Sequence, residues 1–170
     1  METVTPSLTE PAAGYAPADE KRPLTGYLVL AGIFQMLVVA GAIGLRRSSK
    51  PLPEGYPISD VVLVGMGTQK LSRLLGKDKV TSFLRAPFTE YQGPAGPSEI
   101  DERPRGTALR YAIGELLICP YCLGIWVATG FGFGLAAAPR ATRMAAFVLS
   151  TLGVSDFLQI AYKAAEDKGL

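Results

Sequence analysis

Uncharged apolar runs alternate along the chain with short clusters of charge and proline, and this spacing predicts helices. Leu24–Leu45 contains no Asp, Glu, Lys or Arg. A helix of about 20 such residues spans a bilayer's hydrocarbon core. Arg46, Arg47 and Lys50 follow it as a stop-transfer flank would. Ala40-Gly41-Ala42 resembles a signal-peptide cleavage site, but the apolar run and the tail before it are too long, and the basic cluster lies behind rather than ahead. Ala108–Ala138 is the longest apolar segment, with Arg110 near its start and Glu115 as its one acid. Pro139 is expected to end it, with Arg140 and Arg143 in a tight turn. Met144–Tyr162, carrying only Asp156, then returns as the second arm of an antiparallel hairpin.

The remaining segments are more polar. Residues 1–23, with Pro6, Pro11, Pro17 and Pro23, have little to bury and are expected to be disordered. Residues 51–57 read as a proline linker. Ile58–Leu75 starts apolar (Val61 to Val64) but carries Gln69, Lys70, Ser72 and Arg73 in its second half. It is either a short, polar-ended span or a helix lying in the interface. Lys79–Ala86 reads as a short amphipathic helix, with Val80, Phe83 and Leu84 on one side and Asp78 as its N-cap. Residues 87–107 are rich in Gly and Pro and read as an irregular polar loop; no β-pattern competes.

Composition agrees with lipid as solvent. Of the 170 residues, 19% are charged, against about 25% in soluble domains. A net charge of +2 argues against nucleic acid as a partner. The absence of histidine removes His-based acid–base chemistry, Ser-His and Cys-His nucleophiles and His-ligated metals. Two cysteines do not make a disulfide scaffold. The fold expected is therefore all-α and polytopic: three transmembrane spans, plus Ile58–Leu75 crossing or interfacial.

Lys and Arg accumulate on the cytoplasmic side of such proteins. If Ile58–Leu75 does not cross, they divide 13 against 4; if it does, 12 against 5. Both counts place residues 76–110 and the C-terminus in the cytoplasm of a bacterium. Only the side of the N-terminus differs. Lys70, Arg73, Lys77, Lys79 and Arg85, with Asp78 the single acid among them, are candidates for anionic lipid headgroups or for an ordinary solvated face.

One stretch carries candidate chemistry. At about 100° per residue, Cys119 and Cys122 fall within about 40° of Glu115 on one helical stripe. Pro120 cannot donate to the Leu116 carbonyl and is expected to kink the helix there. Asp156, at similar depth on the returning arm, is expected to face the stripe, because charges within a span turn inward and pair. Three readings stay open for Glu115, Cys119, Cys122 and Asp156. A thiol redox pair is one, since Cys-Pro-Tyr-Cys is also a glutaredoxin active-site sequence, although that chemistry wants a helix N-terminus on a thioredoxin-like sheet. A zinc site is another, needing further ligands to reach four. The third is plain packing of two small, soft residues. Gly124, Ala128, Gly130 and Gly134 have the four-residue spacing of close helix packing. The Gly130–Gly134 run follows no strand and is not a phosphate loop.

Lys70-Leu71-Ser72-Arg73-Leu74, Lys77 to Ser82, Leu84 to Thr89, Glu115 with Cys119 to Trp126, and Ser155-Asp156-Phe157 together resemble a small bacterial membrane-protein family, catalogued as domain of unknown function 1360 (DUF1360). Some of its members are labelled as sporulation-associated. The resemblance covers roughly residues 58–163 and leaves Leu24–Leu45 as an addition. It implies a membrane class and marks the cysteine stripe as a family signature, without a reaction. The expectation is a small integral membrane protein, not evidently an enzyme, acting through helix packing, lipid, a protein partner or a second copy. The alternative is thiol redox or metal binding at Cys119 and Cys122; no cofactor is expected beyond zinc at that site.

Overall fold

The computed structural model describes Tyr15 and residues 22–48 and 53–169. The tail expected to be disordered and the start of the proline linker lie outside the described residues, Tyr15, Arg22 and Pro23 aside. The chain is mostly helical, in the order α1 (Leu24–Arg47), α2 (Ile58–Lys77), α3 (Ser82–Arg85), β1 (Thr89–Pro94), β2 (Ile100–Pro104), α4 (Ala108–Ile118), α5 (Pro120–Ala137) and α6 (Pro139–Glu166). Among the described residues, α1, α5 and α6 are long and apolar enough to cross a membrane.

Contacts fix the directions of the helices. On α1, Gly26 meets Ala108 and Ala112 of α4 and Gly41 meets the Phe133 ring, so α1 runs parallel to α4 and α5. Phe34 and Trp126 pack edge to face between them, with ring centroids 5.1 Å apart. On α2, Gly76 lies against Pro120 and Leu123 while Asp60 and Val61 share a groove with Leu135, so α2 is antiparallel to α5. Asp60 meets Arg143 and Lys70 meets Asp156, so α2 is parallel to α6. The polar helix left undecided by its composition therefore runs the length of the others and packs against α4, α5 and α6. Its small residues permit this. A Cβ on Gly67 would lie 3.3 Å from the Ala146 backbone, and Ala146 is fully buried. Small residues at a crossing let two helix backbones approach closely.

The hairpin of α5 and α6 forms as expected but turns more sharply. Ala138 alone connects the helices, and Pro139 opens α6 at its first position instead of closing the helix before it. A proline there has no amide hydrogen to waste and a φ already suited to a helix. Arg140 and Arg143 consequently lie on the first turns of α6, not in a loop.

Residues 87–107, expected to be irregular, contain an antiparallel ladder pairing Thr89 with Pro104 and Tyr91 with Glu102, with a register shift between Tyr91 and Gly93. The prolines that suggested a loop stand last in their strands, Pro94 in β1 and Pro104 in β2. Proline is tolerated at strand margins where no ladder N–H is required. In β2 the inward positions are Ile100 and Glu102, so a carboxylate occupies the place where apolar alternation would have signalled a strand.

The hairpin is bolted to the end of α2. Arg85 is fully buried. Its Nε donates to the Glu102 carboxylate, its Nη1 to the Leu75 carbonyl at 2.7 Å and to Thr81 Oγ1 at 2.8 Å, and its Nη2 to the Asp78 carbonyl at 2.9 Å. Thr81 Oγ1 donates in turn to the Leu74 carbonyl at 2.5 Å. The last carbonyls of a helix lack intrahelical partners, and here a buried guanidinium and a hydroxyl satisfy them. α4 closes the other side. A Cβ on Gly114 would lie 2.6 Å from the Phe88 carbonyl, and Arg110 donates twice to the Pro87 carbonyl, at 2.9 and 2.6 Å.

Candidate functional site

The segment 108–138 is not one kinked helix. Cys119 is extended, with φ −106° and ψ 100°, and divides α4 from α5. Pro120 causes the break by withholding the amide that would continue the ladder. The Leu116 carbonyl is not left free beside the thiols, because the Cys119 N–H reaches it at 3.4 Å. Cys119 becomes the N-cap of α5, and its Sγ accepts the Cys122 N–H at 3.2 Å. Both thiols are free; Cys119 is half-buried and Cys122 exposed. Of the two sequence arguments against redox chemistry, a pair inside a helix does not describe this geometry, while the lack of a thioredoxin-like sheet does: the described residues hold one two-stranded sheet.

The pair also sits shallower than the middle of a span. Pro120 packs beside Gly76, one residue before α2 ends at Lys77 and the chain enters the hairpin. Tyr121, between the cysteines, is 95% exposed.

The carboxylates expected at the stripe are engaged elsewhere. Glu115 accepts the Tyr27 hydroxyl and lies 3.7 Å from Arg22. Its partners thus come from α1 and the residue pair before it. Asp156 does not face the thiols; it takes Lys70 Nζ at 2.5 Å, because α6 is packed on α2. Among the described residues, no three Cys, Asp or Glu side chains converge as metal ligands would. A zinc ion at Cys119 and Cys122 would therefore draw ligands from a second molecule.

A second ion pair joins α2 to α6: Arg143 holds Asp60 through two hydrogen bonds, at 2.9 and 2.7 Å. Neither residue stood out in the sequence reading. The signal was available, since both are charges inside otherwise apolar stretches, where an unpaired charge is costly. Arg143 had instead been placed in a turn.

The lipid-headgroup candidates all have protein partners. Arg85 is buried and reaches no surface. Lys70 holds Asp156, Arg73 forms a fork with Glu99 at 2.6 and 2.8 Å, Lys77 lies 3.5 Å from Asp101, and Lys79 lies 3.4 Å from the Pro97 carbonyl. Beside them a cleft of about 510 Å³ opens between α2, α6 and the hairpin turn, lined in part by Lys70, Arg73, Glu99, Asp156, Gln159 and Lys163. Cations and carboxylates alternate around it, so it presents no single-sign field. The helix expected over Lys79–Ala86 is only Ser82–Arg85, and Thr81 stands at its N-cap while Asp78 caps the end of α2 and accepts the Val80 N–H; Val80, Phe83 and Leu84 are 80%, 67% and 46% exposed.

Of the packing residues, Gly134 presses on Thr142, Gly124 faces Ser72 and Ala128 borders the α2 groove, but Gly130 faces open space. Gly26 and Gly41, not singled out from the sequence, make contacts about as close as that of Gly134.

Comparison with known proteins reaches the same region. The family described as "Protein of unknown function (DUF1360)" matches residues 63–162. The chain is 30% identical over 102 residues to "Sporulation protein YjcA" of Bacillus subtilis (strain 168), covering 58% of this chain and 86% of the relative. It is 27% identical over 101 residues to "UPF0713 protein YngL" of the same organism, covering 59% of this chain and 75% of the relative. No solved structure matches the chain. The matched segment begins inside α2 and ends inside α6, so α1 lies outside it.

Proposed function

The chain belongs to the DUF1360 family, and from that membership we propose that it is a small integral protein of the bacterial cytoplasmic membrane that works through contacts with a protein partner or a second copy. In this reading α1, α2, α5 and α6 all cross. The hairpin, the N-terminus and the C-terminus share the cytoplasmic side.

The observation that carries it is the inversion of the surface. Leu28, Met36 and Leu37 on α1 and Phe147, Phe157, Leu158 and Ile160 on α6 are each more than half exposed, while the charges of α2 and α6 are turned toward each other. Water penalises a contiguous apolar surface of this kind, and hydrocarbon favours it. α2 has 20 residues; at about 1.5 Å each that is roughly 30 Å, the thickness of a hydrocarbon core. Its charges cross shielded by α6 and the hairpin. With α1 and α2 both crossing, the count of 12 basic residues against 5 applies, and the richer side faces the cytoplasm.

The experiment is a fusion series. A reporter that works only outside the cytoplasm should stay silent after Glu166 and become active when inserted between Arg47 and Ile58, with the chain retained in membranes through an alkaline carbonate wash. Release by carbonate would refute an integral protein, and activity at both positions would refute the arrangement.

A further inference from the structure

We infer that Cys119 and Cys122 are a reversible dithiol that exchanges with the disulfide of a partner protein. The inference goes beyond membrane residence and does not depend on it.

The pair occupies two particular places on α5. Cys119 is the N-cap, Pro120 and Tyr121 are the first two helical residues, and Cys122 is the third. Side chains at the N-cap and third positions reach one another across the first turn, as they do in a capping box. The 3.2 Å contact from Cys119 Sγ to the Cys122 amide puts the first sulfur over the residue that carries the second. The two sulfurs are thus carried one helical turn apart on the same end of α5.

The same contact distinguishes the two sulfurs by position: Cys119 caps the N-terminus of α5 and accepts an amide hydrogen there, and Cys122 stands one turn inside the helix. Access is provided by the exposed Cys122 and Tyr121 and by the packing of Pro120 beside the last turn of α2.

The chemistry balances within the pair and its partner. The Cys119 thiolate attacks one sulfur of the partner disulfide; a mixed disulfide forms and the partner's other sulfur leaves as thiolate. Cys122 loses its proton to water and attacks the Cys119 sulfur. The Cys119–Cys122 bond forms and the partner's second sulfur departs as thiolate. Two electrons have passed from the pair to the partner, whose two thiolates take up protons from water. The reverse sequence reduces the pair.

The test uses the detergent-purified full chain and glutathione as the probe. Across a series of reduced-to-oxidised glutathione ratios, alkylation followed by mass analysis should show both thiols disappearing together, with loss of two hydrogens from the chain. Cys122→Ser should accumulate a glutathione adduct on Cys119, forming about tenfold faster than the adduct on Cys122 in Cys119→Ser. Thiols that remain alkylatable at every ratio, or that titrate independently as two adducts in the unaltered protein, would overturn the inference. The titration of the unaltered chain decides the matter even where a variant fails to fold.

Discussion

Arg85 shows how far one side chain's role can lie from its appearance in the sequence. Beside Lys77 and Lys79 it reads as one more surface cation. In the fold it is fully buried, and its four hydrogen bonds tie Glu102 to the end of α2. Glu102 lies 17 residues away in a stretch rich in Gly and Pro, and nothing local pairs the two. Removing one partner of a buried ion pair strands the other charge, at a cost of about 3–5 kcal/mol. Arg85→Met should therefore loosen the hairpin by about that amount and open the Arg105–Gly106 bond to trypsin in detergent micelles. Arg85→Met with Glu102→Leu should recover most of the loss, because no charge is then left stranded. Tryptic cleavage unchanged by the single substitution would show that the pair does not hold the hairpin.

At the scale of elements, the two pairs between α2 and α6 have opposite polarity: the acid is on α2 at Asp60 and on α6 at Asp156. Parallel alignment joins unlike charges at both ends. An antiparallel α6 would set Asp60 toward Asp156 and Lys70 toward Arg143, so the pattern selects the direction of packing as well as its strength. Asp60→Arg or Arg143→Asp alone should destabilise the bundle, by less than loss of a fully buried pair because Arg143 is half exposed. The double exchange should restore most of it. Unfolding in detergent followed by circular dichroism measures both, and equal loss in single and double variants would remove the pair from the account. The apolar helices α1, α5 and α6 were legible because length and hydropathy are local properties. The packing of α2 along the bundle was not, because its polar face is explained only by partners on α6 and the hairpin. The β1–β2 hairpin was hidden by prolines at strand ends and a buried Glu102.

For the molecule as a whole, the division between the family-matched segment and α1 has a physical counterpart. α2 and α6 share two ion pairs, whereas α1 lies along α4 and α5 through Gly26, Gly41, the Phe34–Trp126 contact and the Tyr27–Glu115 hydrogen bond. Deleting residues 1–47 should leave the α2–α6 core folded and change the surroundings of Trp126, the single tryptophan. Its fluorescence should shift while the helical circular dichroism per residue holds; collapse of that signal would make α1 part of the core. The cysteine pair was found from the sequence, but its setting was not: the stripe required a continuous helix, which ends at Cys119, and the carboxylates take Tyr27 and Lys70 as partners. One further consequence follows from the single-residue joint at Ala138. Between α5 and α6 that extremity offers a passing macromolecule almost no handle. The opposite pole carries a ribbon, a charged crevice and the outward Phe83. In the proposed membrane arrangement, a partner approaching the described residues from the cytoplasm would meet these features first.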